Sequence, residues 1–164
     1  MQVGYACINQ TLGGSCDRTF KETGSRCKSC FKCLGGKAKH KTYTNRTCIA
    51  RTFDIPSVNQ KILNNLDDLL TILRWNESNG IRFMRLSSEI FPFMSHDRLG
   101  YAIDDLPSCD LIKSKLRQIG DYATTNAHRL TSHPGPYNVL GSKNPDVVRR
   151  AVNELNLHSH IFDL

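Results

Sequence analysis

The run RLTSHPGPYNVL, residues 129–140, ends a strand-like segment on His133 and follows it with Pro134, Gly135 and Pro136 before Tyr137. Each proline fixes φ and gives up a backbone donor. Such stiffness suits a loop that holds side chains in place, and it equally suits a tight turn. His133 reads as a metal ligand, a general base or a structural cap. Tyr137 reads as a stacking residue, worth about 1–3 kcal/mol per base where it meets one, or as a loop anchor packed on a neighbour. His96, in the loop EIFPFMSHDRLGY, carries the same alternatives as His133.

A second candidate chemistry lies in CKSCFKC, which places Cys27, Cys30 and Cys33 at intervals of three. A Cys-x2-Cys turn lets two thiolates converge on one metal. Cys16, Cys48 or His40 is available as a fourth ligand. The surrounding segment has little apolar content and needs a staple to fold. Structural zinc on Cys16, Cys27, Cys30 and Cys33 is the expected arrangement; a reduced cysteine loop and an iron–sulfur or redox site are the alternatives. The seven cysteines, an odd number, do not suggest a disulfide framework.

Charge singles out the same segment. The chain of 164 residues carries a formal charge of +7. Residues 14–52 hold ten Lys/Arg against two Asp/Glu, and the remainder holds twelve against thirteen. A basic excess confined to one stretch attracts polyanions and suggests phosphate contacts; a merely solvated insertion is the plainer reading. No apolar run approaches the roughly 18 residues of a membrane helix. The first residues lack the basic and apolar regions of a signal peptide, so an intracellular location, cytoplasm or nucleus, is expected. The Asn-x-Ser/Thr matches at Asn9, Asn45 and Asn76 are then expected to be inert.

The elements that must position these groups alternate. Residues 2–9 read as a strand, followed by the basic Cys-rich insertion at 14–45. DIPSVNQKILNNLDDLLTILRWNESNG reads as a helix, with Ser57 and Gln60 as a capping box and Gly80 as its stop. Its apolar face comprises Val58, Ile62, Leu66, Leu69 or Leu70, and Leu73. IRFMRLSS is a second strand. A second helix spans about 107–127, with Leu111, Leu116, Ile119 and Ala123 on one side. HRLTSH is a third strand. The last helix is capped by Asn144 with Pro145 at its first position, and buries Val147, Val148, Ala151, Leu155 and Ile161. Strands alternating with helices imply βαβ units and a parallel sheet, with chemistry gathered at the carboxyl ends of the strands. Those ends deliver Tyr5 and Asn9, then Ser87, Ser88 and His96, then His133 and Tyr137.

The stretches VGYACINQTL, TNRTCIARTF, NLDDLLTILRWNESNGIRFMRLSSEIFPFMSH, IGDYATTNAHRLTSHPGPYNVLGS and NPDVVRRAVNELNLHSHIF resemble, in order, the UV damage endonuclease (UvdE) family. The resemblance covers nearly everything outside residues 14–43. It implies an α/β fold, a partial TIM barrel comprising about the first three βα units of a (β/α)8 barrel of the AP-endonuclease/xylose-isomerase type. It implies an endonuclease that nicks double-stranded DNA 5′ to UV photoproducts and other distorting lesions, with a cluster of divalent metals, usually manganese. On the matching positions, His133 is a metal ligand and His96 an active-site histidine. Tyr5 and Asn9 lie beside the lesion pocket, and Tyr137 is one of two side chains that wedge into the duplex. The other wedge residue is glutamine in the family's HPGQY, where this chain has Pro136. An apolar side chain still fills a gap between bases, but proline lacks the amide's hydrogen bonds.

With about three of eight units present, the chain is expected to be a fragment, a partial reading frame or half of a split protein. It is expected to be unstable and inactive without the C-terminal half of the barrel or a complementing chain. A non-enzymatic nucleic-acid-binding module built on the cysteine cluster, and a metal-dependent barrel acting on a small sugar, are the competing readings. If the Cys-rich insertion is a zinc-stapled lobe that grips phosphates, purified protein carries about one zinc per chain, and changing Cys27 and Cys30 to Ser removes it and weakens DNA binding. Zinc-free protein with unchanged affinity refutes the assignment.

Overall fold

The computed structural model describes residues 4–7, 9, 12 and 47–164. Among the described residues, three parallel strands alternate with three long helices: β1 (Gly4–Ala6), α1 (Ile55–Ser78), β2 (Phe83–Ser87), α2 (Cys109–Thr125), β3 (Arg129–His133) and α3 (Pro145–Asp163). Short 3-10 turns at Ala50–Thr52, Ser88–Ile90 and Ile103–Asp105 shape the connections. The sheet order is β1-β2-β3. Tyr5 pairs with Met84, and Ser87 pairs with His133. The expected alternation and parallel sheet are therefore present. None of the described helices is long and apolar enough to cross a membrane.

α1 is the packing centre. Val58, Ile62, Leu66, Leu69, Ile72 and Leu73 are all essentially fully buried. They pack with Met84 and Leu86 of β2 and with Ile112 and Ile119 of α2 in one cluster. Alternation along β2 explains the sheet side of this contact, since residues two apart share a face: Met84 and Leu86 are buried, and Arg85 between them is exposed.

Two helix expectations change in detail. α1 starts at Asp54, not Ser57: the Asp54 carboxylate accepts the Ser57 N–H at 2.9 Å, and Pro56 occupies the first turn. Ser57 thus receives the cap. On α2, Leu111 is 49% exposed and Ile112 takes the core position. The buried side runs through Ile112, Ile119 and Ala123, with Leu116 partly covered. The other ends follow the sequence. Ile81 N–H donates to Asn76 O at 2.9 Å, and Gly80, at φ +69°, makes the left-handed turn that closes α1. The Asn144 side chain accepts the Asp146 N–H at 2.9 Å at the head of α3. In α3 only Ala151 is fully buried; Val147, Val148 and Leu155 are half-buried, and Leu157 and Ile161 pack against the core.

α1 also buries Asn59, Asn65 and Asn76. Asn59 Nδ2 donates to Ser108 Oγ at 3.0 Å, and its Oδ1 accepts the Ser108 N–H at 3.1 Å. Asn65 Nδ2 donates to Ile90 O at 3.1 Å. Asn76 Oδ1 accepts the Tyr5 hydroxyl at 2.6 Å. One helix thereby ties down the start of α2, the loop after β2, and β1. The Asn9 and Asn76 glycosylation matches are both buried, which bars a glycan in this fold; Asn45 lies outside the described residues.

The two capping assignments make opposite predictions. Asp54→Ala should lower stability by about 0.5–2 kcal/mol in urea denaturation, and Ser57→Ala should be near neutral. A comparable loss at Ser57 would restore the capping box.

Candidate nucleic-acid interface

The loops after β2 and β3 meet α3 around a cleft of about 740 Å³, lined among others by Cys48, Glu89, Phe93, His96, Pro136 and Tyr137. Ile90, Phe91 and Met94 fix the first loop by burial. The Tyr101 hydroxyl donates to Pro92 O at 2.9 Å. Gly100 N–H donates to His96 O at 2.7 Å; a Cβ on Gly100 would meet that oxygen at 2.7 Å, so only glycine allows this approach.

His96 is held closely. Its Nδ1 accepts two backbone N–H groups, from Arg98 and Leu99, both at 3.2 Å. Both donors point at a nitrogen without a proton, so the neutral ring carries its proton on Nε2. The ring stands edge-on to Phe93, centroids 5.5 Å apart. Behind it, Arg149 of α3 donates to both oxygens of Asp97, at 3.1 and 3.4 Å. The guanidinium hydrogen bonds hold the Asp97 carboxyl below its usual range.

Tyr137 is 87% exposed, which excludes the packed-anchor reading and leaves its ring available for stacking. Pro136 beside it is exposed, and Val139 and Leu140 extend the apolar tip. His133 is exposed at the end of β3. It does not line the cleft with His96, Pro136 and Tyr137. Ser87, expected to face the site, is buried and caps the turn after β2 by accepting the Glu89 N–H at 3.1 Å. Ser88 lines the cleft.

Tyr5 and Asn9 do not join this cleft. Tyr5 pairs in register with Met84, and both side chains reach Asn76. Tyr5 therefore lies on the sheet face that α1 covers. Asn9, 3% exposed, donates from Nδ2 to the Tyr5 hydroxyl at 3.0 Å, and its Oδ1 accepts the Leu12 N–H at 2.9 Å. Burial pushes the Tyr5 phenol above its ordinary pKa, against the lowering pull of the two asparagines.

α3 contributes groups that its apolar periodicity does not reveal. Glu154 and His158, one turn apart, line the cleft. Burial lowers the His158 pKa, and Glu154 opposes that shift. Their i,i+4 spacing in ELNLH was the available signal, but the contact that Glu154 makes with the turn after β3 is long-range.

Among the described residues no three His, Cys, Asp or Glu side chains lie close enough to hold a metal. His133 by itself does not fit a resident catalytic metal, which needs three or more protein ligands. Cys16, Cys27, Cys30, Cys33 and His40 lie outside the described residues. Cys48 Sγ accepts from Lys61 Nζ at 3.1 Å.

The sequence profile of the family described as UV-endonuclease UvdE matches residues 1–164. The chain belongs to the UvdE family. It is 40% identical, over its whole length, to a protein of Acanthamoeba polyphaga mimivirus provisionally named a UV-damage endonuclease, of which the match covers 42%. It is 33% identical to the UV-damage endonuclease of Schizosaccharomyces pombe over 98% of this chain and 22% of that one. The crystal structure of SacUVDE superposes with a TM-score of 0.73 at 29% identity, over 99% of this chain and 45% of that one. The chain thus spans less than half the length of these UvdE relatives. The three βα units are a partial TIM barrel.

The placement of Tyr5 yields a discriminating test. Tyr5→Phe strands the buried Asn76 oxygen and should cost about 1–3 kcal/mol in chemical denaturation. Unchanged stability with weakened DNA binding would instead assign the hydroxyl to the nucleic acid.

Proposed function

We propose that this chain is the N-terminal portion of a DNA repair endonuclease that nicks double-stranded DNA 5′ to UV photoproducts and other distorting lesions. The observation that carries the reading is an 87% exposed Tyr137, presented by a proline-stiffened turn at the mouth of the cleft that holds His96, in a member of the UvdE family. Family membership favours this reading over a binding module and over a sugar-acting barrel.

In this reading Tyr137 and Pro136 enter the base stack where a lesion has weakened it. Unstacking costs least there, so the wedge selects damaged sites. Pro136 contributes shape only, and discrimination rests on the tyrosine. His96, its Nδ1 occupied by two backbone donors, presents Nε2–H to a backbone phosphate oxygen. Tyr5 and Asn9 brace the β1 end from behind. The basic insertion at 14–45 supplies phosphate contacts that position the duplex without reading sequence. His133 supplies one ligand of a divalent metal site, manganese by family resemblance, whose other ligands come from outside the described residues. β3 stands at an edge of the described sheet, and a fourth parallel strand from the rest of the barrel or from a complementing chain pairs with it.

The test is a plasmid nicking assay with manganese. The chain joined to a complete barrel should convert UV-irradiated supercoiled plasmid to the open circle and leave undamaged plasmid intact. The 164-residue chain should bind irradiated DNA without nicking it. No nicking by the completed barrel rejects the endonuclease.

A further inference from the structure

We propose that Glu154 is a positioning residue for Tyr137: it anchors the Pro134–Gly135–Pro136 turn to α3 and so fixes where the exposed ring stands above the cleft. The proposal rests on the reading of Tyr137 as the duplex-facing side chain.

Within that turn only Gly135 owns a backbone N–H, because proline has none. This N–H donates to Glu154 Oε1 at 2.9 Å. The Gly135 carbonyl is committed as well. It accepts the Asn138 side-chain amide at 3.1 Å and the Asn138 N–H at 3.3 Å. Gly135 thus ties the turn to α3 on one side and to the segment after Tyr137 on the other. A carboxylate acceptor makes the first tie stronger than a neutral hydrogen bond.

Tyr137 cannot set its own position by packing, since nearly all of it faces solvent. Its direction is inherited from the backbone, and the backbone is held at Gly135. His158 backs the arrangement. Its Nε2 lies 3.7 Å from the same oxygen, too far to replace the Gly135 donor. Burial disfavours the charged form of the imidazole, against the pull of Glu154.

The experiment compares the unaltered 164-residue chain with Glu154→Ala, Glu154→Asp and Glu154→Gln. Glutamine keeps an acceptor at full reach. Aspartate keeps the charge but withdraws it by one methylene, and serves where alanine compromises folding, which thermal melting reports. The first readout is hydrogen exchange of the Gly135 amide by NMR. Exchange should speed up by about tenfold or more in the alanine and aspartate variants and stay slow with glutamine. The second is the ratio of affinities for a UV-irradiated and an undamaged duplex. That ratio should fall by about fivefold with alanine, stay within about twofold with glutamine, and not fall further when Glu154→Ala is added to Tyr137→Ala.

Unchanged Gly135 exchange in both the alanine and the aspartate variants overturns the anchor. A fall in the ratio that persists undiminished in the Tyr137→Ala background overturns the link to Tyr137. If irradiated duplex is preferred and the preference survives Glu154→Ala, the positioning role alone fails. If the unaltered chain shows no preference, the reading of Tyr137 fails, and the positioning role with it.

Discussion

Three buried amides on one helix set the geometry of everything else. Asn59, Asn65 and Asn76 of α1 are enclosed, and each has a partner from a different segment: Ser108 ahead of α2, the Ile90 carbonyl after β2, and the Tyr5 hydroxyl on β1. Leaving a buried amide unsatisfied costs about 1–3 kcal/mol. Apolar burial along Val58 to Leu73 holds the helix against the sheet but is tolerant of small slides, because it is non-directional. The amides are directional. They convert a greasy contact into a single register, and they place the loop that carries His96 relative to the strand that carries Tyr5.

The loop from Ile90 to His96 shows what that register supports. Its first residues hang from Asn65 and from their own burial. Phe93 then adopts φ +61°, a left-handed conformation that costs roughly 1–2 kcal/mol in a residue with a Cβ. Phe93 meets Phe53 edge-on at 6.1 Å and His96 at 5.5 Å. Those ring contacts and the Tyr101–Pro92 hydrogen bond offset the strain. The kink turns the chain so that His96 folds back over its own following backbone and receives two N–H groups there. The strain is thus part of how the imidazole is oriented.

The sequence made some of this legible and hid the rest for physical reasons. Periodicity identified the three helices and the second strand, because their apolar faces obey local repeats; β3 is a polar run with no such face. Periodicity misjudged details where two local signals competed. SVNQ resembles a capping box, but Pro56 already fixes the first turn and leaves Asp54 as the residue able to reach the orphan donor at Ser57. Leu111 and Ile112 are both apolar, and only the orientation of α2 decides which one is buried. The asparagines of α1 look like a solvated face until their partners are in place. The same holds for the chemistry. Locally, His96 and Tyr137 kept several readings open, and only the family resemblance singled them out. Tyr5 was a candidate through the same resemblance, and its direction was not legible, since that depends on which sheet face α1 covers. The i,i+4 spacing of Glu154 and His158 was visible, but not the contact of Glu154 with Gly135, which lies 19 residues earlier.

Packing is distributed unevenly, and the unevenness is informative. α1 buries ten side chains and α3 buries one. β2 has three buried residues and β3 none. Moving from α1 toward α3, directional polar contacts replace apolar burial: Arg149 with Asp97, and Glu154 with Gly135. Regions with little buried apolar surface open at low free energy. The segment that carries the exposed Tyr137 has to hold its shape in solvent with few apolar contacts. Prolines on both sides of Gly135 remove much of the freedom that such a loop would otherwise have, through the unfolded state as much as the folded one. The one backbone N–H of that turn, on Gly135, donates to the Glu154 carboxylate. The exposed edge of this fold is therefore not a region where structure fades. It is held by a few directional bonds in place of many apolar contacts.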